Sequence, residues 1–221
     1  MFVAIVPAYN EEKRIGEVVR DLASYVDEVV VVDDKSDDNT IFEAKNNGAT
    51  VLQHKINLGQ GAALETGHEY ARRVGADYVI HFDGDGQFSV EDIKPALAKL
   101  QIDNVDIILG SRFLGNNKNK TIPWTKRYIL SPVSRFIDRL FSGLKLTDAH
   151  NGFRILNKNA LEKIKITQNG MAHASEIPNL IKKHNLKYSE IPITVYYHEY
   201  GQGLSGGFKI VRDLIWGKFL K

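Results

Sequence analysis

The triplet Asp83-Gly84-Asp85 has the residue types and spacing of a cation site. Its two carboxylates stand one residue apart, directly after the apolar run Tyr78–Phe82, and the glycine between them lets both turn toward one ion without backbone strain. Carboxylate oxygens suit Mg²⁺ and Mn²⁺, which often bridge to substrate phosphates. Gln87 can add a neutral oxygen ligand. An isolated Asp-Gly-Asp is more often a solvated turn, so its meaning depends on the surrounding segments.

Three further polar segments also follow apolar runs that read as strands. Pro7–Glu11 follows the first run, Asp33–Ser36 the second, and Ser111-Arg112 the fifth. Ligands of parallel sheets collect at the carboxyl ends of the strands. Four polar segments at one edge favour a ligand site over four unrelated loops.

Asp33 and Asp34 come directly after four consecutive valines. A carboxylate there can accept a hydrogen bond from a nucleobase or a ribose hydroxyl. Asp38 or Asn39 stands closer to the next helix and can cap it. We therefore expect no structural role for Asp33 and Asp34.

The glycines of Asn57–Ala63 open a helix but match neither common phosphate-binding pattern. Position 64 is Leu, so Gly59 and Gly61 do not begin a G-x-G-x-x-G fingerprint, and no G-K-[ST] follows. A helix N-terminus close to anionic phosphates and a simple tight turn both remain open.

Strands and helices alternate along the first half of the chain, as in an α/β protein. The strands are predicted from short runs rich in β-branched residues, and residues at helical spacing separate them. This alternation predicts a mostly parallel central sheet with helices on both faces. The predicted strands are Phe2–Val6, Glu28–Val32, Thr50–Gln53, Tyr78–Phe82 and Asp106–Leu109. In the second half, strands near Gly152–Leu156 and Lys187–Tyr197 flank a helix around His173–His184.

Composition excludes several classes of protein. The chain has 221 residues and no cysteine, which rules out disulfide scaffolds, thiolate zinc sites and cysteine nucleophiles. Its net charge of +2 argues against a dedicated nucleic-acid binder. No apolar run has the length of a transmembrane helix, and the N-terminus lacks the features of a signal peptide. We expect one domain with a cytoplasmic location.

Taken together, the motifs resemble those of glycosyltransferase family 2, which has the GT-A fold, and most closely the dolichol-phosphate mannose synthase branch. The resemblance covers nearly the whole chain and implies sugar-nucleotide chemistry. The motifs that carry it are Pro7-x-Tyr9-Asn10-Glu11, Asp33-Asp34-x-Ser36, Asn57-Leu58-Gly59-x-Gly61, Asp83-x-Asp85-x-Gln87, Gly110-Ser111-Arg112 and Asp148…Gly152-Phe153-Arg154.

The resemblance implies a donor site at this edge of the sheet. Asp83, Asp85 and Gln87 would bind Mg²⁺ or Mn²⁺, and together with Gly84 they would hold the ribose and diphosphate. Arg112 would face the diphosphate or an acceptor phosphate, because its planar fork of donors suits oxyanions. The residues expected to hold the nucleoside of a UDP- or GDP-sugar are Pro7, Tyr9, Glu11, Val32 and Asp34. Residues 1–112 would form this nucleotide-sugar half, and residues 113–221 an acceptor half.

The implied reaction is an inverting displacement at the anomeric carbon of the sugar. A phosphate acceptor is already an oxyanion and needs no general base, whereas a hydroxyl acceptor needs a carboxylate within hydrogen-bond reach. Asp148 and Glu176 match family positions for such a base, although Asp148 could equally hold Arg154 or cap a turn. The expected catalytic set is Asp85, Arg112, Asp148 and Glu176.

We expect the acceptor to be a polyprenyl phosphate such as dolichyl or undecaprenyl phosphate. Two alternatives remain open: transfer to a glycan hydroxyl, and a non-catalytic nucleotide-sugar-binding protein. The synthase branch carries an R-x-x-G-x-S-K element late in the chain, where this sequence reads His198–Leu204. His198, His150 or His173 could replace its phosphate contacts, whereas His81, inside a strand, is expected to pack.

The second half also contains two amphipathic stretches with basic residues. Arg112–Lys145 holds eight basic residues and one acidic residue, and an apolar stripe runs along Val133–Leu144. Phe208–Leu220 repeats the pattern more weakly. An interfacial helix at an anionic membrane surface and plain packing on the sheet both account for this pattern. A peripheral position on the cytoplasmic face of a membrane is therefore one expectation.

Overall fold

Residues 1–114 and 144–196 are described by a computed structural model, in which seven strands of these residues form one sheet. In the first half, the elements are β1 (Phe2–Ala8), α1 (Ile15–Leu22), β2 (Glu28–Asp33), α2 (Thr40–Asn46), β3 (Thr50–Gln53), α3 (Gln60–Val74), β4 (Tyr78–His81), a 3₁₀ turn (Val90–Asp92), α4 (Ile93–Ile102) and β5 (Ile107–Ser111). In the second half they are β6 (Arg154–Asn157), α5 (Lys158–Lys163), α6 (His173–Lys183) and β7 (Tyr188–Pro192).

The strand order is β3-β2-β1-β4-β6-β5-β7. Among the strands that the structure describes, β6 alone runs against the others, pairing antiparallel with both β4 and β5. The other neighbouring strands pair in parallel. Because β6 is reversed, its first residue, Arg154, lies at the edge of the sheet where β4 and β5 end. We call this edge, where the parallel strands have their carboxyl ends, the rim.

Helices cover both faces of the sheet, as the sequence predicts. The alternating side chains of β1 separate the two layers: Ala4 and Val6 face the core formed with α1, α2 and α4, whereas Val3 and Ile5 face the core formed with α3, α5 and α6. Burial on both faces explains the continuous apolar runs, including the valines of β2. Gly67 lets α3 approach the sheet, since a Cβ there would stand 2.3 Å from Cγ2 of Ile5.

The predicted strands match the observed ones within two residues at most ends, with one larger difference. The strand predicted over Lys187–Tyr197 ends at Pro192, and a single bridge from Val195 to Phe88 follows it. The Thr194 N–H donates at 2.6 Å to Asp92 Oδ2, which draws the backbone toward the 3₁₀ turn. Gly48, with a φ of 93°, follows the C-terminal end of α2.

Some predictions fall outside the described residues. These are most of the Val133–Leu144 stripe, the Phe208–Leu220 segment and His198. Within residues 1–114 and 144–196, no helix has both the length and the apolar composition that a membrane span requires.

Candidate active site

Hydrogen bonds between the loops confirm that the polar segments meet at the rim. The Asn10 N–H donates to Ser36 Oγ at 2.9 Å, which joins the loops that follow β1 and β2. Arg14 Nη1 donates to the carbonyl oxygen of Asp85 at 3.0 Å, which joins the loops that follow β1 and β4. The segments that follow β1, β2 and β4 therefore lie together, and Arg112 of the fourth segment is within electrostatic reach of Asp83.

Asp83 and Asp85 lie within electrostatic reach of each other in the loop after β4. Burial and then the charge of Asp85 raise the pKa of Asp83 to about 7, against the opposing charge of Arg154. Gln60 Nε2 donates to Asp83 Oδ1 at 3.0 Å. The backbone N–H of Gln87 donates to Asp85 Oδ1 at 3.0 Å, which fixes the turn through this loop. Two partly buried carboxylates that repel each other favour the binding of a cation between them, because the cation neutralises their charge.

These side chains fit a divalent cation that takes some of its ligands from the protein and the others from a substrate. Within the described part of the chain, no cluster of three or more His, Cys, Asp or Glu residues could hold a metal ion by itself. Mg²⁺ commonly takes one or two carboxylates from a protein and its remaining ligands from water and substrate phosphates. Asp83 and Asp85, with Gln87 beside them, match that arrangement.

The residues expected to face the nucleoside differ in accessibility. Tyr9 is 48% exposed, and Glu11 is half-buried. Burial and the charge of Asp85 raise the pKa of Glu11, whereas Arg14 lowers it. A cavity of about 440 Å³ lies beside this loop, lined by Asn10, Glu11, Glu12, Lys13, Arg14 and Asp38.

Two of the predicted donor residues lie beneath the surface of the rim. The side chain of Val32 is fully buried in the core, so it supports the rim from below and is not accessible to a nucleoside. Gly84 is also buried, and a Cβ there would stand 3.2 Å from the carbonyl oxygen of Pro7. Gly84 thus allows the loop after β4 to pack against the end of β1.

Asp34 has a structural role that the sequence did not indicate. Its Oδ1 accepts a hydrogen bond from the Leu58 N–H at 2.8 Å, and its Oδ2 accepts one from the Gly59 N–H at 2.6 Å. His54 Nδ1 lies 2.8 Å from the same Oδ1. The expectation that Asp34 lacks a structural role is therefore wrong, because its carboxylate holds the turn that leads into α3. Asp33 likewise accepts a bond from the Ser36 N–H at 3.1 Å.

Arg112 and Asp148 form a two-pronged ion pair at the end of β5. Arg112 Nε and Nη2 donate to the two Asp148 oxygens at 2.7 and 2.8 Å, and the Arg112 N–H adds a third bond at 3.0 Å. Beside this pair, Ser111 Oγ lies 2.6 Å from Thr147 Oγ1. Asp148 is almost fully buried, whereas 29% of the Arg112 side chain is exposed. The Asp148 carboxylate therefore orients a guanidinium that remains accessible at the rim.

Glu176, the other candidate base, holds a neighbouring loop. Its carboxylate accepts hydrogen bonds from the Thr167 N–H at 3.0 Å, the Thr167 hydroxyl at 2.5 Å and the Gln168 N–H at 2.9 Å. That loop packs on the start of α3, where the Gly61 N–H donates to the Asn169 carbonyl at 2.7 Å. These bonds give Glu176 a structural function.

Arg154 is a site residue whose importance the sequence did not reveal. It is 1% exposed, and among the described residues its two terminal nitrogens have no hydrogen-bond partner. Burial lowers its pKa to about 10, and the charges of Asp83 and Asp148 oppose that shift. The structure thus places a buried cation within electrostatic reach of both carboxylates. Asp148 acts on Arg154 through its charge, while its carboxylate bonds to Arg112.

The histidines near the site fall into two groups: His81, His68 and His173 are buried behind it, whereas His150 is exposed. His81 is buried, with its Nε2 atom 2.7 Å from Nε2 of His68, which confirms its expected packing role. Nδ1 of His173 lies 2.8 Å from the Gly170 carbonyl oxygen, and this hydrogen bond orients the ring. Burial lowers the pKa of His173 to about 4. A neutral His173 carries its proton on Nδ1, which donates to Gly170, so its Nε2 has no proton to donate to a phosphate. His150 is exposed and lies 3.3 Å from Ser175 Oγ.

Comparisons with known proteins show which proteins this chain is similar to. The chain is 33% identical to the UDP-N-acetylglucosamine–dolichyl-phosphate N-acetylglucosaminyltransferase of Methanococcus voltae, over 96% of this chain and 93% of that protein. It is 28% identical to the undecaprenyl-phosphate mannosyltransferase of Micrococcus luteus, over 97% of this chain and 93% of that protein.

A solved structure shares the fold. Glucosyl-3-phosphoglycerate synthase of Mycobacterium tuberculosis, in complex with Mn²⁺, UDP and glucosyl-3-phosphoglycerate, superposes with a TM-score of 0.72 at 16% identity, covering 97% of this chain and 77% of that one. The model of the family described as "Glycosyl transferase family 2" matches residues 3–165. The chain therefore belongs to glycosyl transferase family 2 and is a glycosyltransferase.

Proposed function

We propose that the protein transfers a sugar, with inversion, from a UDP- or GDP-sugar to a polyprenyl phosphate, with Mg²⁺ or Mn²⁺ bound at Asp83, Asp85 and Gln87. The observation that carries this proposal is the pairing of two kinds of charge at one rim. The carboxylates of Asp83 and Asp85 suit a cation, and the guanidinium of Arg112 suits an oxyanion. Transfer of a sugar from a nucleoside diphosphate to an acceptor phosphate needs both, a cation for the leaving diphosphate and a guanidinium for the attacking oxyanion.

The donor would lie across the loops that follow β1, β2 and β4. Pro7, Tyr9 and Glu11 are the rim residues placed to contact its nucleoside, and Asp34 and Val32 support that surface from beneath. The metal, when bound, would neutralise the charge that develops on the leaving diphosphate. Asp83 and Asp85 would hold it, and the Gln87 N–H keeps the Asp85 carboxylate in place.

A phosphate acceptor accounts for the carboxylates better than a hydroxyl acceptor does. Asp148 is bonded to Arg112, and Glu176 is bonded to the loop at Thr167 and Gln168. Neither carboxylate is placed to take a proton, and a phosphate oxyanion attacks without losing one. Arg112, oriented by Asp148, would position that oxyanion. The two named relatives, which act on dolichyl phosphate and undecaprenyl phosphate, support this choice.

We also propose that the chain works on the cytoplasmic face of a membrane, because a polyprenyl phosphate resides in one. Residues 1–112 would form the donor half and residues 113–221 the acceptor half. The basic and amphipathic stretches of the second half are consistent in sequence with an anionic lipid surface.

Two measurements test the proposal. The first is a thermal-shift panel of UDP- and GDP-sugars with and without Mn²⁺, in which at least one nucleotide should raise the melting temperature more when Mn²⁺ is present. The second follows radiolabelled sugar from that donor onto dolichyl phosphate or undecaprenyl phosphate in detergent, with Asp85→Asn as the inactive variant. If no nucleotide shifts the melting temperature, the proposal fails. Donor binding without transfer to either lipid would favour a glycan hydroxyl acceptor or a non-catalytic protein.

A further inference from the structure

Arg14 connects the two segments that the proposed donor would contact. It stands directly before α1, and its Nη1 donates to the backbone carbonyl oxygen of Asp85 at 3.0 Å. This hydrogen bond joins residues 71 positions apart in the sequence. It reaches the main chain of the loop, so it acts on the position of Asp85.

The backbone of Arg14 is fixed at the start of α1. Its N–H donates to the Glu11 carbonyl at 3.0 Å, and its own carbonyl accepts the Val18 N–H at 3.0 Å. The side chain therefore extends from a rigid base. The charges of Arg14 and Asp85 both act on the Glu11 carboxyl, in opposite directions, which places the three groups in one neighbourhood.

Packing contributes little to holding the loop on this side. Gly86 has a φ of 70°, and a Cβ built there would meet only Val18 Cγ2, at 3.9 Å. A cavity of about 540 Å³ adjoins the loop, and Arg14 forms part of its wall together with Gly86, Phe88 and Tyr196. Arg14 also lines the 440 Å³ cavity beside Glu11. On this side of the loop, hydrogen bonds such as that from Arg14 therefore contribute more to its position than packing does.

We propose that Arg14 is a positioning residue for metal binding: by holding the Asp85 carbonyl, it sets where the Asp85 carboxylate meets the cation. This inference rests on the proposed function, because it takes Asp85 as a metal ligand. A guanidinium suits this role, since its planar donors lose little freedom on bonding and its charge persists at every working pH.

The test measures Mn²⁺ affinity in the full chain without nucleotide or acceptor, by electron paramagnetic resonance of the free ion. Arg14→Met removes the hydrogen bond, and Arg14→Gln keeps a polar side chain that is too short to reach Asp85. We expect each to weaken Mn²⁺ binding about tenfold, which corresponds to one hydrogen bond. Arg14→Lys should recover part of the loss. Arg20→Met is the matched control, because Arg20 lies in the helix that Arg14 precedes but donates to Asn47 Oδ1.

The outcomes separate this inference from the proposed function. Wild-type Mn²⁺ affinity in Arg14→Met and Arg14→Gln, with melting temperatures showing that both are folded, overturns the role of Arg14 and leaves the proposed function intact. If Arg14→Met does not fold, Arg14→Gln decides. Equal weakening by Arg20→Met also overturns the inference, because the effect would then belong to α1 in general. A wild-type chain that binds no Mn²⁺, with or without UDP, overturns the proposed function and this inference together.

Discussion

Gly152 lies directly against the carboxylate of Asp83. A Cβ at position 152 would stand 2.6 Å from Oδ2 and 3.0 Å from Oδ1 of Asp83. Position 152 precedes the reversed strand β6, whereas Asp83 follows β4. Because Gly152 has no side chain, the carboxylate of Asp83, a proposed metal ligand, can occupy this position.

Gly152→Ala should displace the Asp83 carboxylate, since the added methyl group needs the space that it occupies. We expect Mn²⁺ affinity to fall by about tenfold or more, and the free energy of unfolding by about 1–3 kcal/mol, as for overpacked sites. Calorimetric Mn²⁺ titration and urea unfolding measure the two effects. Gly170→Ala is the control, because a Cβ there would meet nothing within 4 Å. Unchanged metal affinity in Gly152→Ala would contradict the assignment of Asp83 as a ligand.

Asp148→Asn should release Arg112 without changing the size of the side chain. Breaking a buried charge pair typically costs about 3–5 kcal/mol, and Arg112 is partly exposed, so we expect a loss toward or below the lower figure. In the proposed reaction, KM for the lipid phosphate should rise while nucleotide affinity changes little. Steady-state kinetics with separate variation of donor and acceptor measures this. A lost donor affinity with a normal acceptor KM would contradict the placement of Arg112 toward the acceptor.

Glu176→Gln tests the hydroxyl-acceptor alternative. Because Glu176 is bonded to Thr167 and Gln168, its loss should lower the free energy of unfolding by about 1 kcal/mol and leave turnover within about threefold. Removal of a general base instead costs about 10²–10⁴-fold. A loss of that size in kcat, at an unchanged melting temperature, would restore Glu176 as a base and favour a hydroxyl acceptor.

The stability of the protein should fall as the pH drops below the pKa of an unfolded histidine. His173 has a pKa of about 4 in the fold and 6.5 as the ordinary value, so the unfolded chain binds the extra proton between these values. Burial lowers the pKa of His81 in the same direction. The stabilising contribution of each histidine is therefore full above about pH 6.5 and falls by about 1.4 kcal/mol per pH unit below it. Asp83 acts in the opposite direction over part of the same range, because its pKa of about 7 lets the folded chain bind the extra proton.

Urea unfolding at intervals from pH 7.5 to 4.5 measures this slope. His173→Asn should flatten it by the share of one group, whereas His184→Asn serves as a control at the end of α6. A slope in His173→Asn as steep as that of the wild type would contradict neutral burial of the His173 ring.

The sequence was sufficient to predict the sheet, its two helical layers and the rim. The β-branched runs and helical spacing depend on neighbours along the chain, and the carboxyl ends of parallel strands necessarily share an edge. The reversal of β6 was not predictable in this way. The run Gly152–Leu156 has the composition of a strand, but its direction depends on pairing with β4 and β5.

The roles of single polar residues were harder to predict, because they depend on contacts across long separations. Asp148 bonds to Arg112 over 36 positions, and Asp34 bonds to Gly59 over 25. Arg154 was visible as part of a motif, but its complete burial follows from lying opposite His81 on β4, under α3. No local pattern separates such an arginine from one at the surface.

The bonds that join residues 111 and 112 to residues 147 and 148 have a consequence for how the chain can vary. Ser111 bonds to Thr147 and Arg112 to Asp148, so the chain leaves the rim and returns to it at one point. When the two ends of a segment are held together, a change in its length costs little free energy, since doubling a loop costs only about 0.6 kcal/mol of closure entropy. Ser111 and Thr147 thus bound a segment whose length we expect to change without loss of these bonds.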